Sequence, residues 1–183
     1  MDFFDGSDSN NPQKEGRIGE GLLFNTINNY FTNRSLKYKT IRNIRIIYGE
    51  DKSTEIDMIL ICQKGIFIIE NKHWNGMIKG KLEDEKWLRV QDGFRFMRVY
   101  HYPNPILQNE FHLKVMKDVF GEGCPFYSLI TFSSNNIGRS QVPNVINLAG
   151  FHYYMDNFIP EIPLTDFEID NYYSLFMSSI HDD

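Results

Sequence analysis

Cysteine is scarce in this chain, long apolar runs are absent, and positive charge does not dominate. The two cysteines, Cys62 and Cys124, lack the spacing of a metal site, and we expect them to be reduced in a cytoplasmic protein. No apolar run reaches the roughly 18 residues of a membrane helix, and the N-terminus lacks a signal-peptide pattern, so we expect no membrane partner. The net charge of −5 gives the chain no overall basic character for nucleic-acid binding, but it does not exclude a local basic surface.

The stretch 54–76 is typical of two strands that are buried in the middle of a sheet. Its apolar residues occupy both faces of each strand, as expected where helices cover a sheet on both sides. Three charged residues, Asp57, Glu70 and Lys72, interrupt it. Because burying an unpaired charge costs several kcal/mol, these side chains need partners, a metal ion or a water-filled cleft.

The alternation of a strand predicts that these three charges share one face. A turn at Lys64–Gly65 would set Asp57 opposite Lys72 and place Glu70 diagonally from Asp57 on the same face. Two carboxylates and a lysine on one face can hold a divalent cation and activate a water molecule beside a phosphate. The alternative is structural: Asp57 and Lys72 would form a buried ion pair, and Glu70 would pair with another basic residue.

The first helix is predicted over residues 17–33, and Glu20 lies within its apolar stripe. A position near the helix N-terminus would by itself favour a glutamate through the helix dipole. Gly19 and Gly21, on either side, would allow a close backbone approach, and they favour a functional role for Glu20.

The next predicted helix extends to about Phe120, with Asn104 as its N-cap and Pro105 at its first position. Gln108 and His112 lie one turn apart inside its apolar arc, so both need hydrogen-bond partners. For His112 we favour a hydrogen-bonded core histidine over a ligand. Gln108, in the first turn, is the candidate for a functional role.

Two stretches are basic. Residues 36–48 form a strand-like run that is either a solvated face or an edge that contacts phosphate. Residues 74–99 predict an antiparallel hairpin with its turn at Asp92–Gly93, either an ordinary exposed hairpin or an arm for nucleic acid. The basic and aromatic residues of this arm are Lys79, Lys81, Lys86, Trp87, Arg89, Phe94, Arg95, Phe96 and Arg98.

The remaining elements are a buried strand at 125–132, a short strand at 145–148, a helical or irregular segment at 150–158 and a final helix at 165–179. Thr165 and Glu168 form a capping-box pattern at the start of that helix. A helix before and a helix after a group of strands predict an α/β fold with a central mixed sheet flanked by helices.

Five blocks, in this order, resemble the PD-(D/E)xK nuclease superfamily and, more narrowly, its NERD (nuclease-related domain) family. The resemblance covers about residues 16–135, and Ile56 replaces the proline that precedes the superfamily's aspartate. The matching blocks are Gly16–Glu20, Glu55–Asp57, Glu70–Gly76, Ile78–Gly80 with Trp87, and Asn104–Gln108.

The resemblance implies a restriction-endonuclease-like core of order αβββαβ with an inserted β-hairpin. It also implies that Asp57 and Glu70 ligate Mg²⁺ or Mn²⁺, with the backbone carbonyl of Asn71 as a further ligand. Glu20 would bind the metal through water or complete a second metal position.

The remaining site residues act on the substrate in this interpretation. Lys72 would orient or deprotonate the attacking water and stabilise charge on the phosphate. Gln108, and less directly Gln63 or His112, would position the phosphate or the nucleophile.

The expected function is therefore metal-dependent hydrolysis of phosphodiester bonds in nucleic acid, with DNA as the expected substrate. A second hypothesis is a non-catalytic nucleic-acid-binding or scaffold module that retains the fold. A third is a nuclease or toxin-like component that acts only within a larger assembly. The partners that we expect are nucleic acid and either a second copy of the chain, in a homo-oligomer, or such an assembly. We expect a flexible tail at 1–15, a nuclease-like core at 16–135, and a C-terminal extension at 136–183 packed on the same domain.

Overall fold

The computed structural model describes residues 12–92, 96–134 and 142–179. None of the helices within these ranges combines the length and apolar character needed to cross a membrane. In chain order the elements are α1 (Pro12–Thr32), β1 (Tyr38–Tyr48), β2 (Lys52–Cys62), β3 (Gly65–Lys72), β4 (Met77–Lys79), β5 (Lys86–Asp92), β6 (Met97–Pro103), α2 (Pro105–Phe120), β7 (Phe126–Phe132), β8 (Val145–Asn147), a 3₁₀ turn (Leu148–Gly150), α3 (Phe151–Asn157) and α4 (Asp166–Ser179).

A five-stranded mixed sheet forms the centre of the molecule, in the order β1-β2-β3-β7-β8. The first three strands are antiparallel neighbours, whereas β3 with β7 and β7 with β8 run parallel. The parallel pairing follows from the long connection between β3 and β7, which includes α2 and lets the chain return in the same direction. β3 therefore lies at the centre, hydrogen-bonded on both edges.

Helices cover both faces of this sheet. On one face, α1 and α3 pack on the side chains of β2 and β3 that include Met58 and Phe67. On the other face, α2 and α4 pack on the alternate side chains, including Ile59 and Ile68. The predicted mixed α/β architecture with a helix-flanked sheet is confirmed, because the strands that are apolar on both faces are covered on both faces.

The turn between β2 and β3 is not where the sequence pattern placed it. Cys62 pairs with Gly65, so the two turn residues are 63–64 and not Lys64–Gly65. Gly65 has φ 116°, and a Cβ atom there would lie 2.5 Å from the ring of Tyr127. Glycine is needed at this position because the strand enters the sheet in a left-handed conformation against β7, and not because it forms the turn.

This shift changes which charged residues are neighbours. Met58 pairs with Ile69, and the same register extended by one residue brings Asp57 level with Glu70. The prediction that Asp57 faces Lys72 is therefore wrong. Because the partner of each residue moves by two positions, the charged side chains keep their predicted face.

The predicted inserted hairpin is a separate three-stranded sheet, β4-β5-β6. Its inner face packs on Trp74 and Phe132 through Trp87, so that tryptophan belongs to a buried cluster and not to an exposed arm. Arg89 is also buried, and its Nε donates to the carbonyl of Asn75 at 2.7 Å. Of the predicted basic and aromatic surface, Lys79, Lys81, Lys86, Phe96 and Arg98 are exposed, whereas Gly93, Phe94 and Arg95 lie outside the described residues.

Helix ends follow local rules. α1 begins at Pro12, earlier than the predicted Arg17 and inside the segment expected to be a tail, and residues 1–11 lie outside the described part. A proline at the first helical position and Glu15 in the first turn both favour this earlier start. Asn104 caps α2 by accepting the Ile106 N–H at 2.9 Å, as predicted.

Asn109 ties α2 to the central sheet. Its side chain is fully buried, and its Nδ2 donates to the carbonyl of Ile68 at 2.8 Å and to the hydroxyl of Ser128 at 2.9 Å. We expect Asn109→Ala to lower the free energy of unfolding by about 2 kcal/mol, since buried acceptors lose their donor. Urea denaturation measures this, with the exposed Glu110→Ala as the control on the same helix. A loss below about 0.5 kcal/mol, the range of ordinary surface substitutions, would contradict it.

Candidate active site

Four of the predicted site residues come together where β2, β3 and α2 meet. Asp57 comes from β2, Glu70 and Lys72 from β3, and Gln108 from the first turn of α2. Glu70 and Lys72 are two residues apart on one strand and so share a face. The side chain of Glu70 is only 2% exposed, whereas that of Lys72 is 19% exposed and reaches the protein surface. The buried end of the cluster therefore carries a carboxylate, and the end at the protein surface carries the lysine ammonium group.

Asp57 lies beside the start of the charged segment of β3. One of its carboxylate oxygens, Oδ2, accepts the backbone N–H of Asn71 at 2.7 Å. Burial and the neighbouring Glu70 carboxylate raise the pKa of Asp57 to about 7, and Glu20 adds to the rise. The Asn71 N–H and Lys72 lower it by less. Asp57 is thus poised between its protonated and ionised forms near neutral pH.

Glu70 keeps its charge in spite of burial. Burial alone would raise its pKa, but His112 and Lys72 lower the pKa below the usual range. Lys72 forms an ion pair with Oε1 of Glu70, and His112 Nε2 lies 3.4 Å from Oε2. Of the two neighbouring carboxyl groups, Glu70 therefore holds the negative charge and Asp57 takes the proton.

Lys72 links the carboxylates to α2. Its Nζ donates to Oε1 of Gln108 at 3.1 Å while it pairs with Glu70. Its Nζ also lies 5.9 Å from the centroid of the Trp74 ring, at the limit of a cation–π contact. These contacts hold the ammonium group at the mouth of the cluster.

His112 also contacts the candidate site, although the sequence favoured Gln108 for a functional role. It is 4% exposed, and its Nδ1 lies 2.8 Å from the hydroxyl of Thr54. It is thus a hydrogen-bonded core histidine, as favoured, and it also contacts the candidate site through Glu70. The signal for this second contact was its position one helical turn after Gln108 on the same face.

Glu20 approaches from the opposite side of the sheet. It lies on α1, and its Oε2 accepts a hydrogen bond from Nδ2 of Asn43 at 2.9 Å. Asn71 also turns to that side, where its Oδ1 accepts from the hydroxyl of Thr131. Within the ranges 12–92, 96–134 and 142–179, no three His, Cys, Asp or Glu side chains are grouped closely enough to hold a metal ion.

The chain matches the family model described as nuclease-related domain over residues 15–133, well over half of its length. This chain belongs to the NERD family. It is also 26% identical, over 121 residues, to a Bacillus anthracis protein that is named as uncharacterized. That match covers 66% of this chain and 54% of the relative, so the chain corresponds to about half of that longer protein.

The glycines of the first NERD block differ in role. A Cβ atom at Gly19 would lie 2.7 Å from Cβ of His73 and 2.9 Å from the hydroxyl of Ser133, so α1 touches the end of β3 at this residue. The prediction of close approach is right at Gly19 and wrong at Gly21, where nothing lies within 4 Å of the added atom. Gly19 thus brings the helix turn that carries Glu20 against the sheet.

Gln63, considered as a substrate-positioning residue, lies away from the cluster. It is exposed in the turn that follows β2, six residues beyond Asp57, and its Nε2 donates to Asp166 Oδ1 at 3.3 Å. The structure therefore overturns that assignment. The same turn shift that changed the strand register moved Gln63 into the loop.

The carboxylates of Asp57 and Glu70 are the chemical type of ligand that a divalent cation takes. Carboxylate oxygens are the ligands that Mg²⁺ prefers, and this ion is commonly held by one or two carboxylates with several waters. Oε2 of Glu70 is buried and makes no hydrogen bond within the described part of the chain, although His112 Nε2 lies 3.4 Å from it as an ion-pair partner. Mutual repulsion between the Asp57 and Glu70 carboxylates, visible in the raised pKa of Asp57, is the cost that a bound cation would remove.

Proposed function

We propose that this NERD domain is a metal-dependent nuclease that hydrolyses phosphodiester bonds of nucleic acid, with DNA as its substrate. The observation that carries the proposal is the grouping of Asp57, Glu70 and Lys72 at one place on β2 and β3, with Asp57 partly protonated and Glu70 ionised. Perturbed titration of paired carboxyl groups is typical of functional sites. Membership in a nuclease-related family supports the same conclusion.

The order of elements supports a restriction-endonuclease-like core. α1, β1, β2, β3, α2 and β7 follow one another as αβββαβ once the small sheet β4–β6 is treated as an insertion between β3 and α2. In this interpretation, the charged positions of β2 and β3 are the catalytic ones. The insertion packs beside the mouth of the site through Trp74, whose ring stacks on Tyr102 at 4.5 Å.

Asp57 and Glu70 would hold Mg²⁺ or Mn²⁺, with the Asn71 carbonyl as a further ligand and Glu20 acting through water. Bound there, the ion would polarise the scissile phosphate and lower the pKa of a water molecule. Lys72, whose ammonium group pairs with Glu70 and whose side chain reaches the protein surface, would orient the attacking water through a hydrogen bond from Nζ, and the proton of that water would pass to solvent. Its positive charge also stabilises the negative charge that develops on the phosphate.

Gln108 acts on Lys72 in this proposal. Its Oε1 accepts from Lys72 Nζ, which keeps the ammonium group directed away from the apolar core. The carbonyl end of the amide is the one that matches a lysine donor. His112 holds the opposite side of Glu70, so the carboxylate is restrained from two directions.

The test is cleavage of supercoiled plasmid, single-stranded DNA and RNA with Mg²⁺, Mn²⁺ or EDTA. We expect metal-dependent cleavage by the wild type and a loss of at least about 10³-fold in Asp57→Asn, since a neutral amide holds the ion poorly. Asp51→Asn, an exposed change in the loop before β2, is the matched control and should retain full activity. Equal cleavage by wild type and Asp57→Asn, or no metal-dependent cleavage of any substrate, would refute the proposal.

A further inference from the structure

One residue of the central sheet has a backbone conformation outside the extended region that is typical of strands. Asn43, in the middle of β1, has φ 51°, in the left-handed region. For a residue other than glycine this conformation costs roughly 1 kcal/mol or more, although asparagine tolerates it better than most. Such strained positions are concentrated at functional sites, where surrounding contacts maintain them.

The residue with the positive φ lies beside Asp57 of the neighbouring strand. Arg42 pairs with Met58 and Ile44 pairs with Ile56, so the register is the same on both sides of Asn43. No residue is inserted into β1, and Asn43 is the residue of this strand with a positive φ. The same register places Asn43 opposite Asp57, which makes the distortion a neighbour of the candidate site.

The side chain of Asn43 explains what the distortion achieves. Its Nδ2 donates to Oε2 of Glu20 at 2.9 Å and so connects β1 to α1. Gly19 presses the same helical turn against the end of β3. Glu20 is thereby held by contacts to β1 and to the end of β3, and its partner Asn43 lies level with Asp57 in the strand register.

We infer that Asn43 is a positioning residue that orients Glu20 toward the metal site formed by Asp57 and Glu70. The inference rests on the proposed function, because it assigns Glu20 to that site. An amide suits this role because it donates to one carboxylate oxygen, leaves the other oxygen available for a metal-bound water, and adds no competing charge. A lysine or arginine in its place would compete with the cation.

The variant Asn43→Gly separates the side chain from the backbone. Glycine adopts a positive φ without strain, so the fold is kept while the amide is lost. Ser35, with φ 53°, is the matched control. It follows the far end of α1, roughly 18 Å from Glu20 along the helix at about 1.5 Å per residue, so Ser35→Gly makes the same backbone change away from the site.

The experiment is isothermal titration of each protein with Mn²⁺, alongside its melting temperature. We expect Asn43→Gly to melt at or above the wild-type temperature but to bind Mn²⁺ about tenfold more weakly, the loss typical of an outer-sphere contact. Ser35→Gly should bind with wild-type affinity. Glu20→Gln should weaken binding as much as Asn43→Gly, and the double variant should be no weaker than either single variant.

The possible outcomes separate a failure of the role assigned to Asn43 from a failure of the proposed metal-dependent function. Wild-type Mn²⁺ affinity in Asn43→Gly, or fully additive losses in the double variant, would overturn the role of Asn43 alone. If Asp57→Asn also binds Mn²⁺ as tightly as the wild type, or if the wild type binds none, the metal site itself is refuted and the inference with it.

Discussion

Lys72→Met is expected to reduce cleavage by about 10³-fold while leaving metal binding intact. The lysine is not a ligand in the proposed site, so its loss removes the charge that stabilises the transition state and not the carboxylates that hold the ion. Removing a cation that pairs with Glu70 should, if anything, tighten Mn²⁺ binding, because Lys72 and the metal compete for the same carboxylate. This separation of binding from turnover distinguishes a catalytic lysine from a structural one.

Single-turnover cleavage and Mn²⁺ titration on the same preparations measure the two effects. Lys64→Met is the matched control, since Lys64 lies on the same hairpin but donates to the carbonyl of Phe158 at 2.7 Å, at the turn. A purely structural Lys72–Glu70 ion pair predicts a different result: lower stability with cleavage within about tenfold of wild type. That outcome would remove Lys72 from the mechanism.

Asp57→Asn is expected to make the metal-free protein more stable above neutral pH. Burial and Glu70 raise the pKa of Asp57 from 3.8 to about 7. A group whose pKa is raised by folding contributes its full stability below the unfolded pKa, and this contribution is lost as pH rises through the folded value. The wild type should therefore lose stability between about pH 4 and pH 7, by at most about 4 kcal/mol for a shift of this size.

Asparagine removes this dependence because it carries no charge at any of these pH values. Urea unfolding in EDTA at pH 4.5, 6 and 8 should show the variant gaining on the wild type as the pH rises, by about 2–4 kcal/mol at pH 8. Taking the difference between the two proteins cancels the titrating groups that do not interact with Asp57. Parallel pH profiles would mean that Asp57 is not forced to ionise in a buried site.

Added Mn²⁺ provides the complementary measurement. A ligand that binds only the folded state stabilises it, so the wild type at pH 8 should recover stability with Mn²⁺ and Asp57→Asn should not. These two expected effects, the stability deficit of the metal-free wild type and its stabilisation by Mn²⁺, would have one origin, two carboxyl groups placed close together. Sites of this kind commonly exchange stability for function.

The predicted elements were largely right because their signals are local. The Asn104–Pro105 start of α2 and the Thr165–Glu168 capping box of α4 both occur, the latter with Thr165 N–H donating to Glu168 Oε2 at 2.7 Å. Such caps depend on neighbours within a few residues, which a sequence displays directly. The start of α1 was placed too late because the periodic apolar stripe begins after the first turns of that helix.

The pairing of the charged side chains within the site was harder to predict from the sequence. The alternation of strands placed Asp57, Glu70 and Lys72 on one face whichever of the two registers was correct, so the composition of the cluster survived an incorrect turn. The pairing itself depended on Gly65, which has a positive φ and where an added Cβ atom would lie 2.5 Å from the ring of Tyr127 of β7. That contact joins distant segments, and no local pattern reports it.

The sequence by itself determined the order of the elements, the face that carries the charges and the family, because propensity, periodicity and spaced motifs are properties of neighbouring residues. Tertiary structure alone decided that Lys72 pairs with Glu70, that His112 contacts that carboxylate, and that Asn43 of β1 donates a hydrogen bond to Glu20 of α1. Each of these depends on packing between segments far apart in the chain. The free energy that maintains a strained φ at Asn43 comes from the surrounding fold, so it leaves no trace in the residue's own neighbourhood.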